Sequence, residues 1–368
     1  MPKCRACHRD SLLISKKIGF CIDCIRGNFT EVWPTIQAVH CQSRLDSGLP
    51  PTIPKSPAGL KCHLCVNQCQ IAEGERGYCG LRINRDGKLV GGGPDDGNVS
   101  WYYDPLPTNC VADWVCAGGT GAGYPKYAYN SGPEQGYKNL AVFYQACSFN
   151  CLFCQNWQYR RLSHSPRRVP AEALADAVDE KTACVCYFGG DPTPQLAHSL
   201  ATSQQALAIT RNRILRICWE TNGSMNPSSL EAMADLALRS GGCIKFDLKA
   251  WHEEVNLALC GVTNKRTLEN FRYLAERGLE RTQPPFLIAS TLLVPGYIDV
   301  QEVEGLSRFI ASLNPDIPYA LLAYHPLFYL DDLPTTSRSH ALECQAAAER
   351  AGLKRVRIGN IHLLRDNY

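Results

Sequence analysis

Residues 140–154 read Leu140-Ala141-Val142-Phe143-Tyr144-Gln145-Ala146-Cys147-Ser148-Phe149-Asn150-Cys151-Leu152-Phe153-Cys154. The apolar run Leu140–Gln145 predicts a short strand, and a C-x3-C-x2-C loop follows directly. Iron–sulfur clusters are held by cysteine thiolates, and four of them fill a [4Fe–4S] cube. Three ligands leave one iron open, which suits a chemical site better than an electron-transfer site. The alternatives are a zinc ion or a set of buried thiols. Zinc prefers four ligands in two separated pairs, and no fourth ligand lies close by in sequence. The position directly after a strand favours the cluster.

Downstream of this loop the chain alternates strand and helix. Strands are predicted at Ala183–Phe188, Ile214–Trp219, Cys243–Lys249, Phe286–Val294, Pro318–Tyr324 and Arg355–Ile358. Helices are predicted at Pro170–Lys181, Gln195–Thr210, Pro227–Arg239, Lys265–Arg277, Gln301–Leu313 and Ser339–Ala351. This alternation means βαβ units on a parallel sheet, so the fold class is α/β, a partial (β/α)6-type barrel with its site at the C-terminal strand ends.

Several strand ends carry polar or glycine-rich groups. Gly189 and Gly190 let the backbone approach a ligand closely, and Asp191 can cap the following helix. An ordinary βα turn has the same composition. Along the fourth strand, Lys245, Asp247 and Lys249 share one face and Ile244, Phe246 and Leu248 the other. Packing the apolar face on helices turns the charges into the lumen, where they need an internal partner or a polar ligand.

Taken together, the cysteine loop, Phe188-Gly189-Gly190-Asp191-Pro192-Thr193-Pro194, Trp219-Glu220-Thr221-Asn222-Gly223, Asp247-Leu248-Lys249, Gln155-Asn156-Trp157 and Leu293-Val294-Pro295-Gly296 resemble the radical S-adenosylmethionine (SAM) superfamily. The nearest group is similar to pyruvate formate-lyase-activating enzymes and AmmeMemoRadiSam-type proteins. This resemblance implies a [4Fe–4S] cluster on Cys147, Cys151 and Cys154, with SAM chelating the open iron. It also implies SAM contacts from Gly189, Gly190, Asp191, Asp247, Lys249 and His325. Glu220, Thr221 and Asp247 match positions that hold a monovalent cation near the SAM amino-acid end, although Glu220 stands where aspartate is usual.

Upstream lie two further cysteine sets. Cys4, Cys7, Cys21 and Cys24 have the spacing of a zinc ribbon, with a second cluster or a redox pair as the rival. Cys62, Cys65, Cys69 and Cys79 suit zinc or an auxiliary [4Fe–4S] cluster equally. Cys110 and Cys116 have no assigned role, and Cys184, Cys186, Cys218 and Cys243 read as small buried hydrophobes. The expected organisation is a four-cysteine module at 1–48, a proline-rich linker at 49–60, a cysteine-rich accessory segment at 61–137, and the core at 138–368.

The 368 residues, 45% hydrophobic and 20% charged, provide a large core. No apolar run reaches the roughly 18 residues of a membrane span, and the N-terminus lacks a signal-peptide pattern, so a cytoplasmic location is expected. Twenty cysteines in a reducing compartment point to metals rather than disulfides. A net charge of +3 does not point to nucleic acid.

The expected activity is reductive cleavage of SAM to a 5′-deoxyadenosyl radical that abstracts hydrogen from a substrate. A low-potential electron donor would be a partner, and the substrate would be a glycine of a partner protein. Radical modification of a peptide, RNA or metabolite is the alternative, and a non-catalytic zinc adaptor is the reading of another class.

Overall fold

The computed structural model describes residues 1–211, 213–366 and 368. Eight strands form one sheet in chain order: β1 (Val99–Pro105), β2 (Lys138–Tyr144), β3 (Thr182–Gly189), β4 (Arg216–Thr221), β5 (Ile244–Asp247), β6 (Leu287–Leu293), β7 (Tyr319–Ala323) and β8 (Val356–Gly359). From β2 to β8 every pairing is parallel, whereas β1 runs antiparallel to β2. β1 and β8 are the two edges, so the architecture is a partial α/β barrel. Helices cover its outer face, as βαβ connections require.

Local chemistry sets the helix ends. The helix Pro227–Ser240 starts with proline at its first position, its Asn226 side chain accepts from Ser229 N at 2.8 Å, and Gly241 closes it at φ +79°. Asp299 and Ser337 cap Val300–Leu313 and Arg338–Arg350 in the same way.

Three elements differ from the sequence reading. The helix expected over Pro170–Lys181 stops at Ala175. Asp179 accepts from Lys181 N and Thr182 Oγ1, local bonds that compete with helix continuation. β4 is displaced toward its C-terminus and carries Glu220 and Thr221 within the strand. β1 arises inside residues 61–137, expected only as a cysteine-rich accessory segment and here rich in Gly, Pro, Tyr and Asp. Edge strands tolerate that composition, and β1 ends at Pro105.

The N-terminal residues form a short helix, Ile22–Gly27, and a longer one, Phe29–Leu45. Both pack on the barrel. The Tyr297 hydroxyl accepts from Ser15 N at 3.0 Å and donates to Phe20 O at 3.1 Å. The Arg26 guanidinium reaches Asp299 and the fully buried Glu302, each at 2.7 Å. Residues of the 49–60 stretch also have partners: Gln70 N donates to Pro54 O at 2.9 Å, and Lys55 Nζ donates to Asn67 O at 3.1 Å.

Fully buried His40 joins the longer N-terminal helix to the cysteine loop. One ring nitrogen lies 3.1 Å from Ala258 O, and Asn150 Nδ2 approaches the other at 2.9 Å. Burial lowers its pKa from 6.5 to about 4. The unfolded chain therefore binds a proton below 6.5 that the folded chain refuses until about 4. Stability from this site is complete above that window, and about 3 kcal/mol is lost as pH falls through it. We expect urea midpoints at pH 7 and pH 4.5 to differ by less in His40→Gln than in the native chain; an equal difference would remove His40 as the cause.

Candidate active site

The three cysteines of the 147–154 loop are fixed by backbone and side-chain bonds from several directions. Asn150 N donates to Cys260 O and Leu152 N to Leu259 O, both at 2.9 Å, docking the loop on the end of the Glu253–Cys260 helix. Asn67 Nδ2 donates to Ser148 O at 2.7 Å, and Asn222 Nδ2 donates to Ser148 Oγ at 2.9 Å. Arg160 donates to the Asn150 side chain from a fully buried position. Phe149, Leu152 and Phe153 pack into the core, leaving the three thiols to line one pocket of about 140 Å³.

Burial pushes the Cys154 thiol up to about 11 and Cys147 well above its ordinary value. Cys151 is also raised, first by a hydrogen bond with Cys260 and then by burial. Cys260 is a residue the sequence did not single out; its sulfur lies 3.4 Å from that of Cys151. Thiols held protonated this firmly release their protons to solvent only as a metal takes the sulfur.

Gly189 and Gly190 line the same pocket for a specific steric reason. A Cβ on Gly189 would stand 2.5 Å from Tyr144 N, and one on Gly190 would stand 2.4 Å from Ala146 O. Their smallness seats β3 against the strand that delivers the cysteines. Asp191 is buried and accepts from Thr193 N at 2.8 Å, Asn222 N at 2.6 Å and Thr221 Oγ1 at 3.1 Å. It therefore ties the ends of β3 and β4 together, and burial raises its pKa.

Asp247 and Lys249 line the pocket as a 2.7 Å ion pair, with Ser290 Oγ donating to Asp247 at 2.7 Å. Glu220, Thr221 and Asp247 do not converge. Consecutive strand residues face opposite sides, so Glu220 pairs with Lys245 at 2.6 Å while Thr221 turns to Asp191. His325 is exposed beyond the end of β7 and lines neither this pocket nor the larger cleft beside it. That cleft, about 500 Å³, shares Gln155 and Leu322 with the cysteine pocket and is lined by Tyr102, Asp104, Glu220 and Arg357.

The other cysteine sets differ in geometry. Cys4 and Cys24 sulfurs are 3.7 Å apart, as are those of Cys7 and Cys21, and all four lie within 4.8 Å of one another. One tetrahedral ion with metal–sulfur bonds of about 2.3 Å spaces its ligands about 3.8 Å apart, so this set fits a single ion. We expect Cys7→Ser to lose about one metal per chain and to lower thermal stability without altering the Cys147 loop. Metal analysis beside a melting curve tests this, and unchanged metal content would rule the site out. Cys62, Cys65, Cys69 and Cys79 line one small cavity with Asn67 and Arg82. Among the described residues, only the Cys4 set meets the 4.8 Å spacing.

Residues 141–310 match the family model of the radical SAM superfamily. An uncharacterised protein of Methanocaldococcus jannaschii is 26% identical over 309 residues, covering 82% of this chain and 81% of that protein. The pyruvate formate-lyase 1-activating enzyme of Escherichia coli is 25% identical, over 50% of this chain and 74% of its own. The isethionate sulfite-lyase activating enzyme of Desulfovibrio desulfuricans is 34% identical over 38% of this chain and 41% of its own. With the cysteine loop on the strand end that the motif requires, and with two of these three relatives named as activating enzymes, residues 141–310 belong to the radical SAM superfamily.

Proposed function

We propose that this radical SAM enzyme draws hydrogen from a substrate in the cleft beside the cysteine pocket, and that the substrate is a glycine of a partner protein. Membership of the superfamily implies a [4Fe–4S] cluster and SAM. The residues fit both: Cys147, Cys151 and Cys154 offer three thiols to one pocket, and the glycine turn and the Asp247–Lys249 pair complete its wall. When bound, these groups supply an electron and a carbon-centred radical that takes the hydrogen atom.

The chain's own part is orientation and exclusion of water. Phe149 and Phe153 keep the loop dry, and the Asp247–Lys249 pair offers both signs of charge to a zwitterionic amino acid. Continuity between pocket and cleft through Gln155 and Leu322 carries the proposal, because a substrate in the cleft then adjoins the cofactor site. The activating-enzyme relatives support a protein as that substrate.

Deuterium transfer into 5′-deoxyadenosine tests this reading. Under anaerobic reduction, desalted cell protein labelled with α-deuterated glycine should pass its label into the product. Label arriving only from the small-molecule fraction would overturn the protein-substrate assignment.

A further inference from the structure

Six cysteines outside every motif discussed above surround one cavity inside the barrel. Cys184 and Cys186 come from β3, Cys218 from β4, Cys243 from the residue before β5, and Cys110 and Cys116 from the segment joining β1 to β2. Arg216 and Lys245 are the cations of the lining, and the cavity has about 40 Å³ of room for the centres of water-sized molecules.

Alternation on the strands shows that this lining belongs to the lumen. Val185, Tyr187, Ile217, Trp219, Ile244 and Phe246 are fully buried on the outward face. The intervening residues are Cys184, Cys186, Arg216, Cys218, Glu220, Cys243 and Lys245. Bulky branched side chains ordinarily fill a barrel interior in layers. Here β3, β4 and the residue leading into β5 present sulfur instead, with Cys186 and Cys218 in register across β3 and β4.

Four of these thiols sit together. Cys218 and Cys243 sulfurs are 3.8 Å apart, and Cys110 and Cys116 face them across the same cavity. All four pack together with Ala112, Val115 and Ile288 in a small cluster separate from the main core. Lys245 Nζ lies 3.1 Å from Cys186 Sγ and 3.9 Å from Cys110 Sγ, placing a buried cation beside the sulfurs. Arg216 is a second cation at the wall; Glu134 matches it as Glu220 matches Lys245.

We propose that Cys110, Cys116, Cys218 and Cys243 bind a second iron–sulfur cluster inside the barrel. A single ion fits less well. The Cys4 set shows the compact spacing one ion requires, whereas these four sulfurs do not all fall within 4.8 Å of one another. In a [2Fe–2S] cluster each iron takes two thiolates, so the 3.8 Å pair Cys218–Cys243 can share one iron while the ligands of the other stand further off. The cavity shares Cys110, Asn139 and Cys186 with the substrate cleft, so the second cluster lies across that cleft from the Cys147 loop.

Iron and acid-labile sulfide analysis of the anaerobically reconstituted full-length chain tests the assignment. The parent carries Cys147→Ala, Cys151→Ala and Cys154→Ala, so that the loop cluster cannot contribute. Adding Cys218→Ala and Cys243→Ala should lower iron and sulfide together, by about two atoms of each per chain. Unchanged iron and sulfide, or zinc in their place at this site, would overturn the proposal. Cys110→Ser in the native background serves if the strand variants do not fold, because Cys110 lies outside the sheet. It should show the same iron and sulfide loss while the electron-spin signal of the Cys147 cluster still shifts on adding SAM. Absence of that shift in the native chain would instead defeat the radical SAM reading, so the two failures are distinguishable.

Discussion

Cys151→Ala is expected to abolish SAM cleavage and to cost the chain its loop cluster. Losing an outer-shell partner of a metal typically costs roughly 10–100-fold, so losing one of only three ligands should exceed that range. Position makes the effect specific. Cys151 is held by a loop whose amides are bonded to Cys260 and Leu259 and whose phenylalanines are buried, which fixes where its thiol stands. Cys260, at 3.4 Å from Cys151, is a thiol close enough to confuse the assignment. The companion variant Cys260→Ala should therefore retain iron and cleavage. Anaerobic product analysis for 5′-deoxyadenosine with iron content reads both variants. Cleavage surviving in Cys151→Ala but lost in Cys260→Ala would reassign the ligand set.

Most of the barrel was legible because its signals are local. Strand–helix alternation, Pro227 at a helix start and Gly241 at its end need no tertiary information. The Cys147 loop was legible for the same reason, since strand and ligands are contiguous. What escaped notice depends on contacts between distant segments. The Phe29–Leu45 helix buries Val32, Ile36, His40, Ser43 and Arg44, which are helically spaced, but three of the five are polar and Pro34 interrupts the run. Their polar members are explained by distant partners: His40 meets Ala258 and Asn150, Ser43 accepts from Asn150, and Arg44 donates to Pro50 O and Tyr78 O. Cys260 and the six barrel cysteines illustrate the same point. In sequence Cys184, Cys186, Cys218 and Cys243 read as small hydrophobes and Cys110 and Cys116 have no assigned role; the topology alone brings the six together, as it brings Cys260 to Cys151. The divergence of Glu220 from Thr221 was readable in principle from strand alternation once both residues were placed inside β4.

Glu134→Ala is expected to be the most destabilising single change in the segment between β1 and β2. The Glu134 carboxylate is fully buried and takes two bonds from Arg216, one of them at 2.8 Å, and another from Tyr129 N at 2.7 Å. Arg216 cannot shed its charge at any ordinary pH. Removing Glu134 therefore strands a guanidinium in the wall of the barrel, with the Tyr127 carbonyl as its remaining protein partner at 2.9 Å. Breaking a buried pair in this way costs about 3–5 kcal/mol, whereas replacing both members with apolar residues can be nearly neutral. Glu134→Ala combined with Arg216→Met should accordingly recover much of the loss, which a urea titration of the two variants and the native chain would reveal. The same pair fixes the segment that carries Cys110 and Cys116 against the strand that carries Cys218. Iron retention in the single variant should therefore weaken along with stability. A loss below about 1 kcal/mol, the ordinary value of an exposed pair, would mean that water reaches Arg216 and that Glu134 is not what closes this end of the barrel.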